Sequence, residues 1–278
     1  MISVITAVHN GLAFNQLFAN SLKKFTASEY ELIIIDNNST DGSREYFEQS
    51  GAKVIRNKEN YSYPVCQNQG IEIAKGTHLF FLNNDIILSP LWDAHLIEIA
   101  AKHNIDIISA CGIENMGDLK NTLRMGRKWK RCKNLLMPLG FSKKNLMLMH
   151  RLMYGNWIEF CNNRFKEFSD SIVEGIVGNN VMMTKKGLNT IGLWDTRMQS
   201  ADFDLFMRVK QRHLETGDIK PCHIALGVYI HHFIRMTSKY AVKAVPFADK
   251  SNLIHLHDKW SPQQLNDLHP DNATLRKP

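Results

Sequence analysis

Apolar runs alternate with amphipathic segments through residues 1–112 of the chain. The run ISVITAV ends at a polar turn, and apolar residues then recur at helical spacing from Phe14 to Phe25. The runs YELIIID, AKVIRN, THLFFL and IDIISACGI follow in the same way, each separated from the next by a helix-like segment. Buried strands that alternate with helices predict an α/β fold with a mostly parallel central sheet and helices on both faces.

Polar side chains stand where two of the predicted strands end. Asp36 closes the run YELIIID, and the stretch FFLNNDIIL places Asn83, Asn84 and Asp85 directly after another strand. A parallel sheet binds ligands at the carboxyl ends of its strands, so these residues are candidates for a site. The alternative for each is a turn that its own Asn and Asp side chains close.

A basic segment interrupts the alternation of strands and helices, which then resumes. Helical periodicity in NLMLMHRLMYGNWIEF predicts a helical insertion. After it, IVEGIVGNNVMMT is one strand-like run, and LWDTRMQSADFDLFMRVKQR contains a turn and a helix. We therefore divide the chain into a first half at residues 1–112, the insertion at 113–170, a second half at 171–240 and a C-terminal extension at 241–278.

Composition narrows the class of protein. The 278 residues are 44% hydrophobic and 22% charged, which is typical of a soluble globular protein. No apolar run reaches the roughly 18 to 20 residues of a membrane-spanning helix, and the chain opens on a strand-like run, so we predict a cytoplasmic protein. The five cysteines are odd in number and form no C-x-x-C pair, which predicts neither a disulfide framework nor a zinc site.

The net charge of +7 comes from one segment. The stretch 119–158 contains no Asp or Glu and holds ten bases: Lys120, Arg124, Arg127, Lys128, Lys130, Arg131, Lys133, Lys143, Lys144 and Arg151. A solvated helical face is one use of such a charge run. Docking on an anionic membrane surface that carries a lipid-linked or envelope glycan is a second. The third is binding of a nucleic-acid backbone, with Trp129 or Tyr154 beside an extruded base.

Six motifs occur in the order found in one enzyme family. They are VITAVHN, IIIDNNSTDGS, NQGIEIAKG, FFLNNDIIL, GLWDTR and ADFDLFMR. Together they resemble the family 2 glycosyltransferases of the GT-A fold, over residues 1–112 and again over 172–235. The resemblance implies an inverting transfer of a sugar from a UDP- or dTDP-linked donor to an acceptor hydroxyl. The insertion departs from the family pattern, so the acceptor stays open between a cell-envelope glycan or lipid and hydroxymethylated bases of DNA.

Transfer from a nucleoside diphosphate requires stabilisation of the departing diphosphate. A divalent cation supplies it, and such a cation is commonly held by one or two carboxylates besides the substrate phosphates. The stretch NND resembles the family's D-x-D metal element with its first acid replaced, which makes Asp85 the predicted ligand of Mn²⁺ or Mg²⁺. Asn83 and Asn84 are predicted to bond hydroxyl groups of the donor sugar or ribose.

The segment VYIHHFIRMTS supplies a second predicted metal ligand. The resemblance assigns it to His232, because in the family a histidine is followed a few residues later by Ser or Thr, here Thr237 or Ser238. In an extended segment His231 points to the opposite side. Packing, or support of a neighbouring ligand, is the alternative for this pair. Arg235 is a predicted diphosphate contact.

The resemblance also implies where the nucleotide binds. Asp36 is expected to accept the imide N–H of a pyrimidine base, which uracil and thymine carry and cytosine does not. Ala7 and His9 lie in the family's first nucleotide loop and are predicted donor contacts. A simple turn histidine is the alternative for His9.

The predicted catalytic base is Asp202 in the stretch QSADFDLFMRVK. Inverting displacement requires a carboxylate within about 2.6 to 3.2 Å of the acceptor hydroxyl. In the family this acid belongs to an E-D-x-D-L-like motif, in which Ala201 here replaces the Glu while Asp202 and Asp204 remain. Either acid would also suit the positive end of a helix without a catalytic role. Trp194 and Asp195 match the family's acceptor-side turn.

Two possibilities remain for the acceptor, and two for the class of protein. Four bases of the insertion are predicted to contact a polyanionic acceptor, either DNA or a membrane-associated glycan: Arg127, Lys128, Lys130 and Arg131. In the second case the protein would be peripheral at a membrane surface. A non-catalytic nucleotide- or nucleic-acid-binding protein on the same fold is the alternative class, since Asn83 stands where the metal motif usually has an acid.

Overall fold

The structure, a computed structural model, describes residues 1–236 and 245–269. In chain order, the strands of these residues are β1 (Ile2–Val8), β2 (Tyr30–Asn37), β3 (Lys53–Asn57), β4 (His78–Leu82), β5 (Ile86–Ile87), β6 (Ile107–Cys111), β7 (Ile172–Glu174), β8 (Asn180–Thr184), β9 (His223–Tyr229) and β10 (His231–His232). Their α-helices are α1 (Leu12–Phe25), α2 (Ser43–Gln49), α3 (Tyr63–Ile73), α4 (Trp92–His103), α5 (Leu119–Leu136), α6 (Lys143–Tyr154), α7 (Trp157–Phe168), α8 (Lys185–Ile191), α9 (Ala201–Thr216), α10 (Leu256–Lys259) and α11 (Pro262–Leu268).

Eight of these strands form one central sheet in the order β3-β2-β1-β4-β8-β6-β9-β7. Strands β3, β2, β1 and β4 are parallel to one another, and so is the pair of β6 and β9. Strand β8 runs antiparallel between β4 and β6, and β7 pairs antiparallel at the edge. Strands β5 and β10 form a separate antiparallel ladder. The predicted α/β fold with a mostly parallel central sheet is confirmed.

Helices cover both faces of this sheet, because successive side chains of a strand point to opposite sides. In β1, Val4 lies in a buried cluster with Phe18 of α1 and Trp92 of α4. Its neighbour Ile5 lies in a second buried cluster with Phe206 of α9. Burial on both faces explains why the strands read as nearly continuous apolar runs rather than as alternating ones.

The predicted helical insertion is confirmed as helices α5, α6 and α7, which share a third buried cluster with β9 and with Phe233, just after β10. Trp129 and Tyr154 are only 4% and 9% exposed in that cluster. The Tyr154 hydroxyl lies 3.1 Å from the hydroxyl of Tyr229 and 2.9 Å from Nδ1 of His231. The suggestion that either aromatic side chain lies beside an extruded base is therefore wrong, because both are used in packing. No helix of residues 1–236 and 245–269 is both long and apolar enough to span a bilayer.

The run predicted as one strand, IVEGIVGNNVMMT, forms two strands that lie apart in the sheet, β7 at its edge and β8 near its centre. The chain between them is fixed against β6, because Val177 N donates to Ser109 Oγ at 2.9 Å. Asn83 N donates to Asn179 O at 2.9 Å. The connection thus delivers Gly178 and Asn179 to the carboxyl end of β4.

The C-terminal residues 245–269 pack over the start of α3 and along α9. Asp249 accepts hydrogen bonds from the backbone N and the hydroxyl of Ser62, at 2.9 and 2.5 Å. Ala248 N donates to Asn60 O at 2.7 Å. Trp260 is 5% exposed and joins the buried cluster on the α9 face of the sheet. This segment therefore closes one side of the strand ends.

Candidate active site

A cavity of about 290 Å³ opens at the carboxyl end of β4, beside the first turns of α3 and α9. Six separate segments line it, with the residues Tyr63, Asn83, Glu114, Gly178, Asn179, Gln199, Ala201, Asp202 and His232. The fold therefore brings a predicted donor contact, the predicted base and a predicted metal ligand to one cavity.

His232 lies between two carboxylates. Its Nε2 is 3.1 Å from Oδ1 of Asp85, and its Nδ1 contacts Oε1 of Glu114. The ladder of β10 and β5 places His232 opposite Ile86, and Phe233 N donates to Asp85 O at 2.9 Å. Burial lowers the pKa of His232, but the charges of Asp85 and Glu114 and their hydrogen bonds to the ring outweigh burial and hold this pKa well above its usual value. The imidazole ring is thus held by one carboxylate on each nitrogen.

Asp85 and His232 fit a shared divalent cation. Adjacent ligands of an octahedral ion lie about 3 Å apart when each bond is about 2.1 Å, and the 3.1 Å between Asp85 Oδ1 and His232 Nε2 matches this separation. Glu114 contacts the other ring nitrogen, as second carboxylates do for metal-binding histidines. Residues 1–236 and 245–269 contain no group of three or more His, Cys, Asp or Glu suited to a metal. These side chains therefore offer two ligands, and substrate and water would supply the rest.

Asn179 fixes the carboxylate behind His232. Its Nδ2 donates to Oε1 of Glu114 at 3.1 Å and lies 3.3 Å from Nδ1 of His232. Its own Oδ1 accepts a 2.7 Å hydrogen bond from Nδ2 of Asn180, the first residue of β8. The central antiparallel strand thereby determines the orientation of the histidine ring.

Asp202 lies half-buried in the first turn of α9, with its carboxylate against Gly178. A Cβ atom built on Gly178 would lie 2.0 Å from Asp202 Oδ2, so a larger residue leaves no room for the carboxylate in this position. The Tyr63 hydroxyl is buried on the same cavity and has no hydrogen-bond partner within the part of the chain that the structure describes. Burial raises the pKa of Tyr63, and the charge of Asp202 raises it further, which keeps this phenol protonated.

Asp204, the other acid of this turn, has a different environment. It is 0% exposed and accepts hydrogen bonds from Nε of Arg208 at 2.9 Å and Nε1 of Trp260 at 3.0 Å. Nζ of Lys259 lies 2.6 Å from Oδ1, the oxygen that also accepts from Trp260. Asp204 therefore holds the C-terminal segment against α9, and only Asp202 of the two acids faces the cavity.

A second cavity of about 560 Å³ lies at the carboxyl ends of β1, β2 and β3. His9 is one of its lining residues, and His9 Nδ1 lies 2.7 Å from Asn37 O. A third hollow shares Gln199 with the first cavity and Val245 and Pro246 with the second. This hollow along the C-terminal segment therefore lies next to both cavities.

Three predicted donor contacts, Asp36, Asn84 and Ala7, lie outside the cavity of Asp202. Asp36 is 0% exposed, and its Oδ2 accepts a 2.8 Å hydrogen bond from Nε of Arg44. The Asn84 amide donates to Oδ1 of Asn15 at 2.7 Å, which ties the end of β4 to α1. Ala7 is half-buried and packs against the core of the α9 face. None of these predicted contacts lines the cavity that holds Asp202.

Both residues of the predicted acceptor-side turn, Trp194 and Asp195, contact neighbouring side chains of the protein. Trp194 is 3% exposed and packs edge-on against Tyr63, with ring centroids 5.5 Å apart. Asp195 pairs with Arg197 at 2.8 Å and with Lys259 at 2.9 Å. The hydrogen bond from Arg197 lowers the pKa of Asp195, and the contact with Lys259 lowers it further. Burial opposes both, but the pKa stays well below its usual range.

The remaining predicted residues lie at the edge of the site or away from it. Arg235 is exposed in a turn with a left-handed φ of 61°, and Thr237 and Ser238 lie outside the described residues. The four predicted acceptor bases of the insertion all lie on the exposed side of α5 and line neither cavity: Arg127, Lys128, Lys130 and Arg131.

Sequence reasoning missed five lining residues, Tyr63, Glu114, Gly178, Asn179 and Gln199, of which two carried a signal. Glu114 follows the apolar run of β6 and could have been found by the same strand-end rule that selected Asp85. Gly178 lies within an apparent strand, where a glycine often marks a close approach of another group. Tyr63, Asn179 and Gln199 carried no comparable signal.

Comparison with known proteins places these features in context. Residues 3–164 match the protein family Glycosyl transferase family 2. The uncharacterized glycosyltransferase EpsJ of Bacillus subtilis is 26% identical over 126 residues, which are 44% of this chain and 36% of EpsJ. The glycosyltransferase TuaG of the same organism, whose name refers to teichuronic acid biosynthesis, is 30% identical over 90 residues, or 31% of this chain and 36% of TuaG. The chain thus spans little more than a third of the length of these relatives.

A solved structure supports the fold. The mannosyltransferase PcManGT of Pyrobaculum calidifontis, in complex with GDP-Man and Mn²⁺, superposes with a TM-score of 0.55. The superposition covers 86% of this chain and 58% of PcManGT, at 12% sequence identity. The architecture of strands and helices is thereby shared with a sugar-nucleotide enzyme.

Proposed function

Because the chain belongs to glycosyl transferase family 2, we propose that it moves a sugar from a nucleoside-diphosphate sugar to a hydroxyl group of a cell-envelope glycan, with inversion at the sugar carbon. The observation that carries this proposal is that Asp202 and His232, whose ring contacts Asp85, line one cavity at the strand ends. A base and a site for the diphosphate are the two parts that the reaction requires.

Asp202 is the proposed general base. Its carboxylate accepts the proton of the acceptor hydroxyl while that oxygen forms a bond to the sugar carbon, and the bond from this carbon to the diphosphate oxygen breaks. Gly178 lets the carboxylate reach into the cavity, and the positive end of α9 favours negative charge in this turn. The Tyr63 hydroxyl is placed to donate a hydrogen bond to a sugar or acceptor oxygen in the same cavity.

Asp85 and His232 are the proposed ligands of Mn²⁺ or Mg²⁺, with Glu114 and Asn179 orienting the imidazole. When bound, the metal neutralises negative charge that develops on the diphosphate. The complex of PcManGT with GDP-Man and Mn²⁺ supports a divalent cation in this fold. Asn83, which lines the cavity two residues before Asp85, is the proposed contact for donor hydroxyls.

The cavity lined by His9 is the proposed nucleotide site. It lies at the ends of β1 to β3, and a hollow that shares lining residues with both cavities lies between it and the cavity of Asp202, along the path of a donor that spans nucleotide and sugar. Recognition of a uracil or thymine base by Asp36 stays a prediction. Because the Asp36 carboxylate is paired with Arg44, the guanidinium group is part of that proposed base site. Ala7, Asn84 and Arg235 also stay predictions.

An envelope glycan is the proposed acceptor, supported by the name of TuaG. The alternative acceptor, a base of DNA, keeps only the positive charge of the insertion as support, because Trp129 and Tyr154 are buried and cannot stack on an extruded base. Trp194 and Asp195 remain predicted acceptor-side residues through their position just before α9.

Release of nucleoside diphosphate from a panel of sugar nucleotides tests the proposal. We expect slow hydrolysis of one donor by the wild-type protein with Mn²⁺ present, faster release when envelope glycans are added, and none in excess EDTA. A non-catalytic protein on this fold would bind nucleotides without releasing diphosphate from any donor, and that result would overturn the proposed activity.

Gly178→Ala is expected to reduce sugar transfer by roughly 10² or more, since general-base catalysis contributes about that much. The added methyl group would overlap Asp202 Oδ2 and force the carboxylate away from the cavity. Donor affinity, measured by calorimetry, should change little. Gly126→Ala is the matched control, because nothing lies within 4 Å of a Cβ built on this helical glycine. Equal losses in both variants would contradict the positioning role.

Glu114→Gln is expected to weaken Mn²⁺ affinity by about 10-fold to 100-fold, the usual effect of removing a carboxylate that orients a metal-binding histidine. Glutamine keeps the size of the side chain but removes the charge that contacts His232 Nδ1. A Mn²⁺ titration followed by electron paramagnetic resonance measures the affinity directly. An affinity equal to that of the wild type would show that Glu114 does not support the site.

A further inference from the structure

The outer face of α6 is unlike the solvent face of an ordinary amphipathic helix. It consists of exposed bases and exposed apolar side chains, and we call it the basic-apolar face: Lys143, Lys144, Met147, Leu148, Arg151 and Leu152. The three apolar members are 41%, 42% and 47% exposed in chain order. The inner face is also apolar, with Leu146, Met149 and Met153 at most 1% exposed. A solvated helix would carry polar residues on its outer side.

The same combination extends over the rest of the insertion. Seven of the thirteen exposed large hydrophobic side chains in the described residues fall within 119–158: Leu123, Leu135, Leu139, Met147, Leu148, Leu152 and Ile158. This stretch holds ten bases and no acid, whereas the remainder of the chain has more acids than bases. Exposed apolar area and positive charge are therefore concentrated together, which points to a partner with both an anionic and an apolar part.

A concavity beside α6 is also lined by basic and apolar side chains. It measures about 760 Å³ and lies between α1 and the helices α6 and α7. Apolar side chains such as Phe25, Trp157 and Ile158 line it, and no Asp or Glu is among its lining residues. Lys24 of α1 contributes a further base from outside the insertion.

We propose that the basic-apolar face docks the protein on the surface of an anionic lipid bilayer. Met147, Leu148 and Leu152 enter the boundary between headgroups and acyl chains, while the three bases of the face contact lipid phosphates. This is how an amphipathic helix with cationic flanks lies in a membrane interface. The inference goes beyond the transfer reaction, because it concerns where the protein works rather than what its cavity does.

The observations favour a bilayer over other partners. A nucleic-acid backbone would neutralise the bases but leave the aliphatic side chains between them in water. A second copy of the chain related by a two-fold axis would bring these bases against the same bases, which repel. A surface that is anionic outside and apolar beneath satisfies both kinds of side chain on one helix face.

The docking face is connected to the proposed active site through packed side chains. On the inner side of α6, the Tyr154 hydroxyl lies 2.9 Å from Nδ1 of His231, the residue before His232. Trp157 Nε1 donates to Leu88 O at 2.9 Å, just beyond β5. Docking would therefore hold the cavity in a fixed orientation to the bilayer and to acceptors anchored in it.

Flotation of the full chain with vesicles tests the proposal without any use of activity. Vesicles of equimolar phosphatidylcholine and phosphatidylglycerol should bind the wild-type protein, and vesicles of phosphatidylcholine alone should not. Replacing Lys143, Lys144 and Arg151 by Gln should weaken binding roughly 100-fold, at about fivefold per base near the surface. Replacing Met147, Leu148 and Leu152 by Gln should weaken it by at least roughly tenfold, although every base remains.

The control variant carries Leu193→Gln, Leu214→Gln and Lys185→Gln, which change exposed residues elsewhere and should leave binding as in the wild type. All variants should keep the wild-type melting temperature, because the altered side chains are exposed. Equal binding to neutral and anionic vesicles would overturn the proposal. So would loss of binding in the basic variant alone, which would indicate a purely electrostatic polyanion site. A dimer in gel filtration that only the apolar variant dissociates would replace the bilayer with a second copy.

Discussion

The Asp202→Asn variant is expected to bind the sugar nucleotide as the wild type does and to transfer sugar about 10² to 10⁴ times more slowly. Asparagine has the same shape and fits against Gly178, but its amide cannot accept the proton of the acceptor hydroxyl. The helix start and the cavity wall should be unchanged. Calorimetric donor binding and the kcat of transfer, measured on the same preparation, separate the two effects.

Asp204→Asn is the matched control for this prediction, two residues farther along α9. Asp204 is buried with Arg208 and Lys259, so loss of its charge leaves cations without their partner and should lower the melting temperature. The folded fraction should still transfer sugar at nearly the wild-type rate. If Asp202→Asn transfers normally, the base is another residue and the proposed role of Asp202 is wrong.

The second large effect is expected for Asp85→Asn. We expect Mn²⁺-dependent release of diphosphate to fall by roughly three orders of magnitude, because charge stabilisation by a bound metal contributes several kcal/mol. The amide is a weaker ligand, and His232 loses the carboxylate that faces its Nε2. Release rates across a Mn²⁺ titration, with metal binding followed by electron paramagnetic resonance, measure the loss.

Asp106→Asn controls for the removal of any well-buried carboxylate. Asp106 is 7% exposed, pairs with Lys186 at 3.0 Å and accepts from Thr184 at 2.7 Å, away from the lining of either site cavity. Its variant should lose some stability and retain its dependence on Mn²⁺. An Asp85→Asn variant with unchanged Mn²⁺ affinity would remove Asp85 from the metal site.

The sheet was predictable because its signals are local. An apolar run of five to eight residues predicts a strand buried on both faces, whichever strand lies beside it. The pairing is not local, and so the run IVEGIVGNNVMMT was predicted as one strand. It divides because Gly175 to Asn179 leave the sheet between β7 and β8, and the antiparallel β8 enters between β4 and β6.

The candidate site was predictable where a strand end or a family motif marks it. Asp85 was selected at a strand end and Asp202 through its resemblance to a family motif, and the fold places Asp202 and His232 on one cavity. Pairing between side chains distant in sequence was not predictable. The contact of Glu114 with His232 depends on how β10 docks beside β5.

The central claim is that the cavity between Asp202 and the His232–Asp85 pair is where sugar is transferred. A crystal structure with Mn²⁺ and the donor selected by diphosphate release tests it most directly, with the metal located by anomalous scattering. We predict one Mn²⁺ within about 2.3 Å of the Asp85 carboxylate and His232 Nε2, and Asp202 on the side of the sugar carbon opposite the diphosphate. A metal held by other residues, or a donor whose sugar lies outside this cavity, would contradict the account.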